Sequence, residues 1–463
     1  MNWEENNKKL IEKYSTESLL HVEYPNKIHW KIIEDDTLYK QKLFDHFSKT
    51  NGQSVIYIHV PFCEKLCYYC KCVKEITHDY SKIENYLKSL EMELNIFKKF
   101  LKDNNLDANV KEIYIGGGSP TILKEKEFDH LIVTLSEFVN IQKLNRFCIE
   151  IDPRTVTKEK LEYYYTKGVT TVSLGIQDFN PIVQTAINRI QSYKMIEDLM
   201  KTIKKLFTSI NFDLIVGLPH QTPETITETI NQFISLSPDR ISMDFYSKGD
   251  LKYYAHTKLI DNIAIGTYDK HILFYMIVKQ LESNGYLRTA TGHFAKSTDA
   301  VGKSLKKQVS NFTQFGVIAN RYSSIIGFGR SSSGNFGGHT GWKVMYQNYY
   351  EQNLYDNALK CGKFPIYRMH DSSNDEEACD YIIKTLRTHF VINKRYIEKE
   401  YKLNFNEYFF KELDILQEFK KDKLCKITKN KIILTDTGKH FSEIVASIFD
   451  RYSKTERYKN III

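Results

Sequence analysis

The sequence predicts an α/β protein: a partial (β/α)6 barrel with an arm ahead of it and a mostly helical, winged-helix-like domain behind it. Two observations carry this expectation. Between about residues 54 and 290, short apolar runs alternate with helix-like stretches, the pattern of parallel βαβ units. The first run, Val55-Ile56-Tyr57-Ile58-His59-Val60, leads straight into a loop with three closely spaced cysteines, Cys63, Cys67 and Cys70. Folds of this kind gather their sites at the carboxyl ends of the strands, where that loop lies.

In chain order, strands are expected at 55–60, 110–116, 146–151, 170–176, 210–217 and 239–247. Helices are expected near 80–102, 124–138, 157–167, 192–207 and 222–236. Six strand–helix units suit an open, partial barrel better than a closed eight-fold one. Beyond about 290 the alternation gives way to Gly/Ser-rich sequence that includes Gly327-Phe328-Gly329-Arg330-Ser331-Ser332-Ser333-Gly334. From about 365 helices return. Leu424–Thr428 and Lys431–Thr435 then form two short strands around Lys429-Asn430, followed by a helix from Gly438, like the wing of a winged helix. That segment has no concentrated arginine stripe, so packing against the barrel is expected rather than nucleic-acid binding. The expected division is an arm (1–50), a barrel (51–290), a barrel extension (291–360) and a C-terminal domain (361–463).

Composition narrows the class. A chain of 463 residues can bury a large core. No apolar run approaches the ~18–20 residues that cross a bilayer. No signal peptide opens the chain, and eight cysteines are too few for a secreted disulfide scaffold. These features suit a soluble, cytoplasmic protein, expected to be a monomer. The net charge of +8 (65 basic against 57 acidic residues) is spread along the chain and reads as solvated surface. The 31 tyrosines and 27 phenylalanines could line a pocket for a flat ligand, though most belong to core.

Three thiolates in one loop can hold three irons of a 4Fe–4S cluster and leave the fourth open for chemistry. With Cys72 they could instead form a zinc knot, but zinc sites usually take ligands as two separated pairs and no second pair follows. One strand–helix unit later, Ile113-Tyr114-Ile115 runs into Gly116-Gly117-Gly118-Ser119-Pro120, where missing side chains expose backbone to a ligand. Glu150 closes the third strand, Gln177 the fourth, and Asp213 lies in the fifth. Polar groups at successive strand ends converge on one mouth, where an unpaired buried carboxylate is costly without a ligand.

These residues resemble the oxygen-independent coproporphyrinogen III oxidase family of radical SAM enzymes over nearly the whole chain. The resemblance runs through Tyr57–Cys63, the Cys-x3-Cys-x2-Cys-x-Cys pattern ending at Cys72, and Gly116–Thr121. It continues in Glu150–Arg154, Gly175–Phe179, Asn188-Arg189 and Asp213–Pro219. It implies that Cys63, Cys67 and Cys70 ligate a 4Fe–4S cluster while Cys72 does not. Tyr57, Gly117 and Glu150 would hold the S-adenosylmethionine (SAM) that is cleaved, with Tyr57 and Glu150 closest to the chemistry. Tyr69, Gly118, Ser119, Gln177, Arg189 and Asp213 match contacts to a second SAM. Ser247 and Ser333 stand where the family has small or aliphatic residues. A reducing partner such as flavodoxin or ferredoxin is also implied.

The likeness thins at the substrate arm. The family's Arg-Tyr-Thr-Ser-Tyr-Pro is Leu20-His21-Val22-Glu23-Tyr24-Pro25 here. An unmade charged hydrogen bond costs about 1.5–3 kcal/mol, roughly ten- to a hundredfold in affinity. A second motif appears as Asn311-Phe312-Thr313-Gln314-Phe315-Gly316-Val317, and Lys303, Lys306, Lys307, Arg321 and Arg330 are candidate replacement cations. The resemblance implies oxidative decarboxylation of coproporphyrinogen III to protoporphyrinogen IX. The alternatives are a methyltransferase or cyclopropanase of the same family, and a haem carrier, which Cys72, Gln177 and Arg189 disfavour.

Overall fold

A computed structural model describes residues 2–14, 22–49, 53–248, 255–320, 324–337 and 343–452. Leu20, His21 and Arg321 lie outside these residues. The barrel repeats a strand and a helix: β1 (Ser54–Val60), α1 (Tyr80–Asp103), β2 (Val110–Gly117), α2 (Glu125–Ser136), β3 (Arg146–Ile151) and α3 (Lys158–Thr166). It continues with β4 (Thr171–Gln177), α4 (Tyr193–Leu206), β5 (Ser209–Val216), α5 (Pro223–Leu236) and β6 (Arg240–Phe245). Local chemistry sets the helix starts. Asp79 caps α1 through the Ser81 amide, and Thr222 and Thr225 cap each other's backbone ahead of Pro223 in α5.

β1 to β6 run parallel in chain order, and all seven residues of β1 are buried. Their outward faces meet the helices in one large core that includes Ile58, Leu94, Ile115, Phe147 and Phe212. Among the described residues the sheet has thirteen strands and does not close. Past β6 come β7 (Tyr286–Ala290) and β8 (His293–Lys296), with β8 antiparallel to β6. A hairpin of β9 (Asn311–Thr313) and β10 (Gly316–Ile318) stands apart as a two-stranded sheet.

The Gly/Ser-rich stretch is part of the sheet. β11 (Ser324–Phe328) lies parallel to β1, and β12 (Ser333–Gly337), β13 (Lys343–Asn348) and β14 (Ile366–Ser372) extend that edge antiparallel. Ile325 and Ile326 are both buried, which is why this strand lacks the apolar–polar alternation that would mark it in sequence.

The C-terminal region builds a second core around α6 (Asn374–Thr388). Its small sheet joins β15 (Val391–Asn393) to β17 (Lys431–Leu434) and β17 to β16 (Cys425–Ile427), the expected wing with a third strand. The following helix starts at Asp436, two residues before Gly438, because Thr435 accepts from the Gly438 amide. This core rests on the turn between β7 and β8, where the Thr291 amide donates to the Arg387 carbonyl (2.8 Å) and Thr291 Oγ1 meets Ser442 Oγ (2.8 Å). Tyr14, from the helix Asn2–Tyr14, and Tyr24 are buried in the same core.

Glu93 on α1 ties the barrel to the extension. Its carboxylate accepts from the Gly329 amide (2.7 Å), Asn348 Nδ2 (2.6 Å) and the Tyr355 hydroxyl (2.5 Å). Burial raises its pKa to about 7. Glu93→Ala strands these buried donors at about 1–3 kcal/mol each. We expect a loss of roughly 3–5 kcal/mol in denaturant unfolding, with an unchanged m-value.

Candidate active site

The cysteine loop is seated on the glycine run. Gly117 has φ of +113°, and a Cβ there would lie 2.6 Å from the His59 ring. A Cβ on Gly118 would lie 2.5 Å from the Phe62 carbonyl oxygen, and the Gly118 and Ser119 amides donate to Val60 and Phe62 (2.8 and 2.7 Å). The side-chain space the sequence reading left to a ligand is thus filled by the protein's own first strand and loop. The far side of the loop is pinned as well: the Tyr68 amide donates to the Ile187 carbonyl (3.1 Å) and Asn188 Nδ2 to the Leu66 carbonyl (2.8 Å).

A cavity of about 560 Å³ opens between this loop and the barrel interior. Cys63, Cys67, Cys70, Tyr69, Gly117, Gly118, Ser119, Glu150, Gln177, Arg189, Asp213 and Ser247 all line it. Tyr57 and Ser333 do not. Tyr57 lies behind the wall, its hydroxyl 2.7 Å from His59 Nδ1 and its ring packed on Phe315. Ser333 reaches the wall only through Gln314, to whose Oε1 it donates (2.7 Å).

The thiols suit a cluster. All eight cysteines are free. The three loop thiols open separately onto one space. Cys67 Sγ accepts from Arg154 Nη2 (3.6 Å) and Arg189 Nη1 (3.5 Å). Cys72 donates to Cys70, which with Lys74 brings the Cys70 pKa down to about 6 and holds the Cys72 thiol protonated. Burial raises Cys63 to about 12.

Arg189 also donates to the Gly175 carbonyl through Nε and Nη2 (2.9 and 2.6 Å), so it braces β4 as well as facing the cavity. Glu150 accepts from the Tyr114 hydroxyl (2.8 Å) and the Gly117 amide (3.0 Å), and burial raises its pKa. Gln177 has φ of +69° beside a bulge against β5; although only 7% exposed, it leaves Oε1 without a partner. An orphaned acceptor in a cavity wall fits a bound donor. Asp213 accepts from Asn211 Nδ2 (2.7 Å) and Ser173 Oγ (3.4 Å). Burial, then the charges of Glu150 and Asp244, push its pKa up to about 7.

The candidate replacement cations Lys303, Lys306, Lys307 and Arg330 are absent from this wall; Arg330 pairs instead with Glu75 (2.8 Å) behind the loop. The arginines that line it, besides Arg189, are Arg146, Arg154 and Arg240. Arg154 lies in the Glu150–Arg154 motif; Arg146 and Arg240 were missed because strand ends alone were read. The signal was period two: Arg146 and Glu150, Asn211 and Asp213, and Arg240, Ser242 and Asp244 each share one strand face.

Residues 57–233 match the radical SAM superfamily. The chain is 28% identical to the oxygen-independent coproporphyrinogen III oxidase of Helicobacter pylori over 445 residues, 95% of each chain. It is likewise 28% identical to that of Escherichia coli over 446 residues, 96% of this chain and 94% of the other. Its structure matches the solved coproporphyrinogen III oxidase (HemN) of Escherichia coli with a TM-score of 0.84 and 27% identity, covering 93% of this chain and 97% of that one. The fold and the site define a radical SAM enzyme, with a 4Fe–4S cluster and SAM as cofactors. Within that superfamily the chain is similar along nearly its whole length to oxygen-independent coproporphyrinogen III oxidases. Among the described residues no helix is long and apolar enough to cross a membrane.

The Asp213 proton gives a pH test. The folded protein keeps it up to about pH 7, whereas the ordinary value is 3.8. Its stabilising contribution is therefore complete below the ordinary value and is lost as pH rises through 7. Asp213→Asn copies the protonated form, so the variant should lose roughly 2 kcal/mol less stability than wild type between pH 5 and pH 8 in urea unfolding.

Proposed function

We propose that the substrate is coproporphyrinogen III and that two of its propionates become vinyl groups. The observation that supports this most is the reach of the likeness: it covers the arm, barrel and C-terminal core together, not the radical SAM domain alone. Bound to the cluster and reduced, SAM supplies a 5′-deoxyadenosyl radical able to remove a hydrogen atom from an unactivated carbon. For each vinyl group one hydrogen atom and one electron leave with carbon dioxide, the electron passing to a one-electron acceptor.

In this reading Cys63, Cys67 and Cys70 hold the cluster, and Arg154 and Arg189 lower the cost of its negative charge. Glu150, the Gly117 backbone and Tyr57, acting through His59, position the cleaved SAM. Tyr69, Gly118, Ser119, Gln177, Arg189, Asp213 and Ser247 form the wall for a second SAM, with Ser333 contributing through Gln314. Gln177 Oε1, buried in the cavity wall without a partner, supports the wall's role. A flavodoxin- or ferredoxin-like electron donor, action as a monomer and a cytoplasmic location complete the proposal.

Anaerobic incubation of the reconstituted protein with SAM, dithionite and coproporphyrinogen III should give vinyl products, carbon dioxide and 5′-deoxyadenosine. Cys67→Ala should abolish 5′-deoxyadenosine formation, while Cys72→Ala should retain the cluster's visible absorbance. A methylated product and S-adenosylhomocysteine, without carbon dioxide, would overturn the assignment in favour of methyl transfer.

A further inference from the structure

The cavity floor carries a charge pattern that no cofactor role uses. Arg146 begins β3, four residues before Glu150, or about 13 Å further into the barrel at the usual strand rise. It lines the cavity with its side chain 14% exposed. Its Nε is buried without a hydrogen-bond partner among the described residues, and its nearest carboxylate, Glu112, is 3.5 Å away. The guanidinium sits 5.5 Å from the centre of the Tyr114 ring. Arg240 lines the same floor and is held by Asp299 (2.8 Å). A second cation there raises the cost of leaving Arg146 half-satisfied.

A buried cation is tolerated when good geometry and further hydrogen bonds complete it. Arg146 has neither. Between it and the level of Glu150 and Asp213 the wall carries Ser173, Asn211 and Ser242, spent on one another through the Asn211 side chain (2.9 and 3.0 Å). A ligand that fills the cavity from the cluster side passes the carboxyl groups of Glu150 and Asp213, then these hydroxyl and amide groups, and then meets the unpartnered Nε–H of the Arg146 guanidinium.

We infer that Arg146 anchors a carboxylate of the substrate on the barrel floor. A guanidinium fork matches a carboxylate in two parallel hydrogen bonds, which a lysine cannot reproduce. This rests on the porphyrinogen reading, in which the ligand bears four propionates and the arm lacks its usual arginine. The SAM carboxylate is the less suitable occupant, because the residues assigned to SAM lie at the opposite, carboxyl ends of the strands.

The test is anaerobic equilibrium dialysis with coproporphyrinogen III, bound tetrapyrrole being measured after oxidation to the coloured porphyrin. Wild type, Arg146→Gln and Arg146→Lys are compared, with SAM binding measured in parallel and folding checked by circular dichroism. Arg146→Gln should weaken tetrapyrrole binding roughly ten- to a hundredfold and leave SAM binding unchanged. Arg146→Lys should fall between, and it keeps the comparison usable if the glutamine variant does not fold. Equal tetrapyrrole affinity in all three proteins overturns the inference and leaves the proposed function standing, as does a loss confined to SAM. Absence of tetrapyrrole binding by wild type overturns both.

Discussion

The backbone contact between the cysteine loop and the glycine run is the constraint on which the site depends. Parallel pairing of β1 with β2 brings Val60 opposite Gly117. The chain then turns so closely over Gly118 that no side chain fits between. That contact fixes where Cys63 leaves the strand. Asn188 and the Ile187 carbonyl fix the opposite side, so the thiols are held from two directions before any iron is present. Sites built on ordered elements in this way hold their geometry better than free loops do.

Around that loop the charges are arranged by depth. Guanidinium groups meet the sulfur at the mouth, carboxyl groups of Glu150 and Asp213 follow, hydroxyl and amide groups fill the middle, and arginines lie at the floor. Each layer follows from the two-residue repeat of a strand and the lateral register of its neighbours, such as Ser173 opposite Asn211 and Asn211 opposite Arg240. Asp152 joins the mouth to the third strand by gripping Arg154 through both carboxylate oxygens.

Much of this was legible in the sequence. The six parallel strands and their helices lie within a few residues of where apolar runs and turn residues put them, because strands buried on both faces read as continuous apolar segments. The cysteine loop, Glu150, Gln177, Arg189 and Asp213 stood out because they end or interrupt such runs. Arg146 and Arg240 did not: each opens its strand, and lying inward is a property of register that one strand cannot reveal. β11 was hidden by its glycine and serine neighbours. Tyr24 shows what a single motif cannot reveal: its ring is buried in a core built mainly by residues more than 350 positions away.

The helix Asn2–Tyr14 lies on that distant core, with Lys13 bridging Glu418 and Asp422 and Tyr14 stacked on Phe419. During synthesis, the surface that receives this helix emerges only after the whole barrel has been made. The barrel must therefore be able to collapse around its own apolar core while this earlier-made helix waits, unburied, for a docking site that the ribosome has yet to deliver.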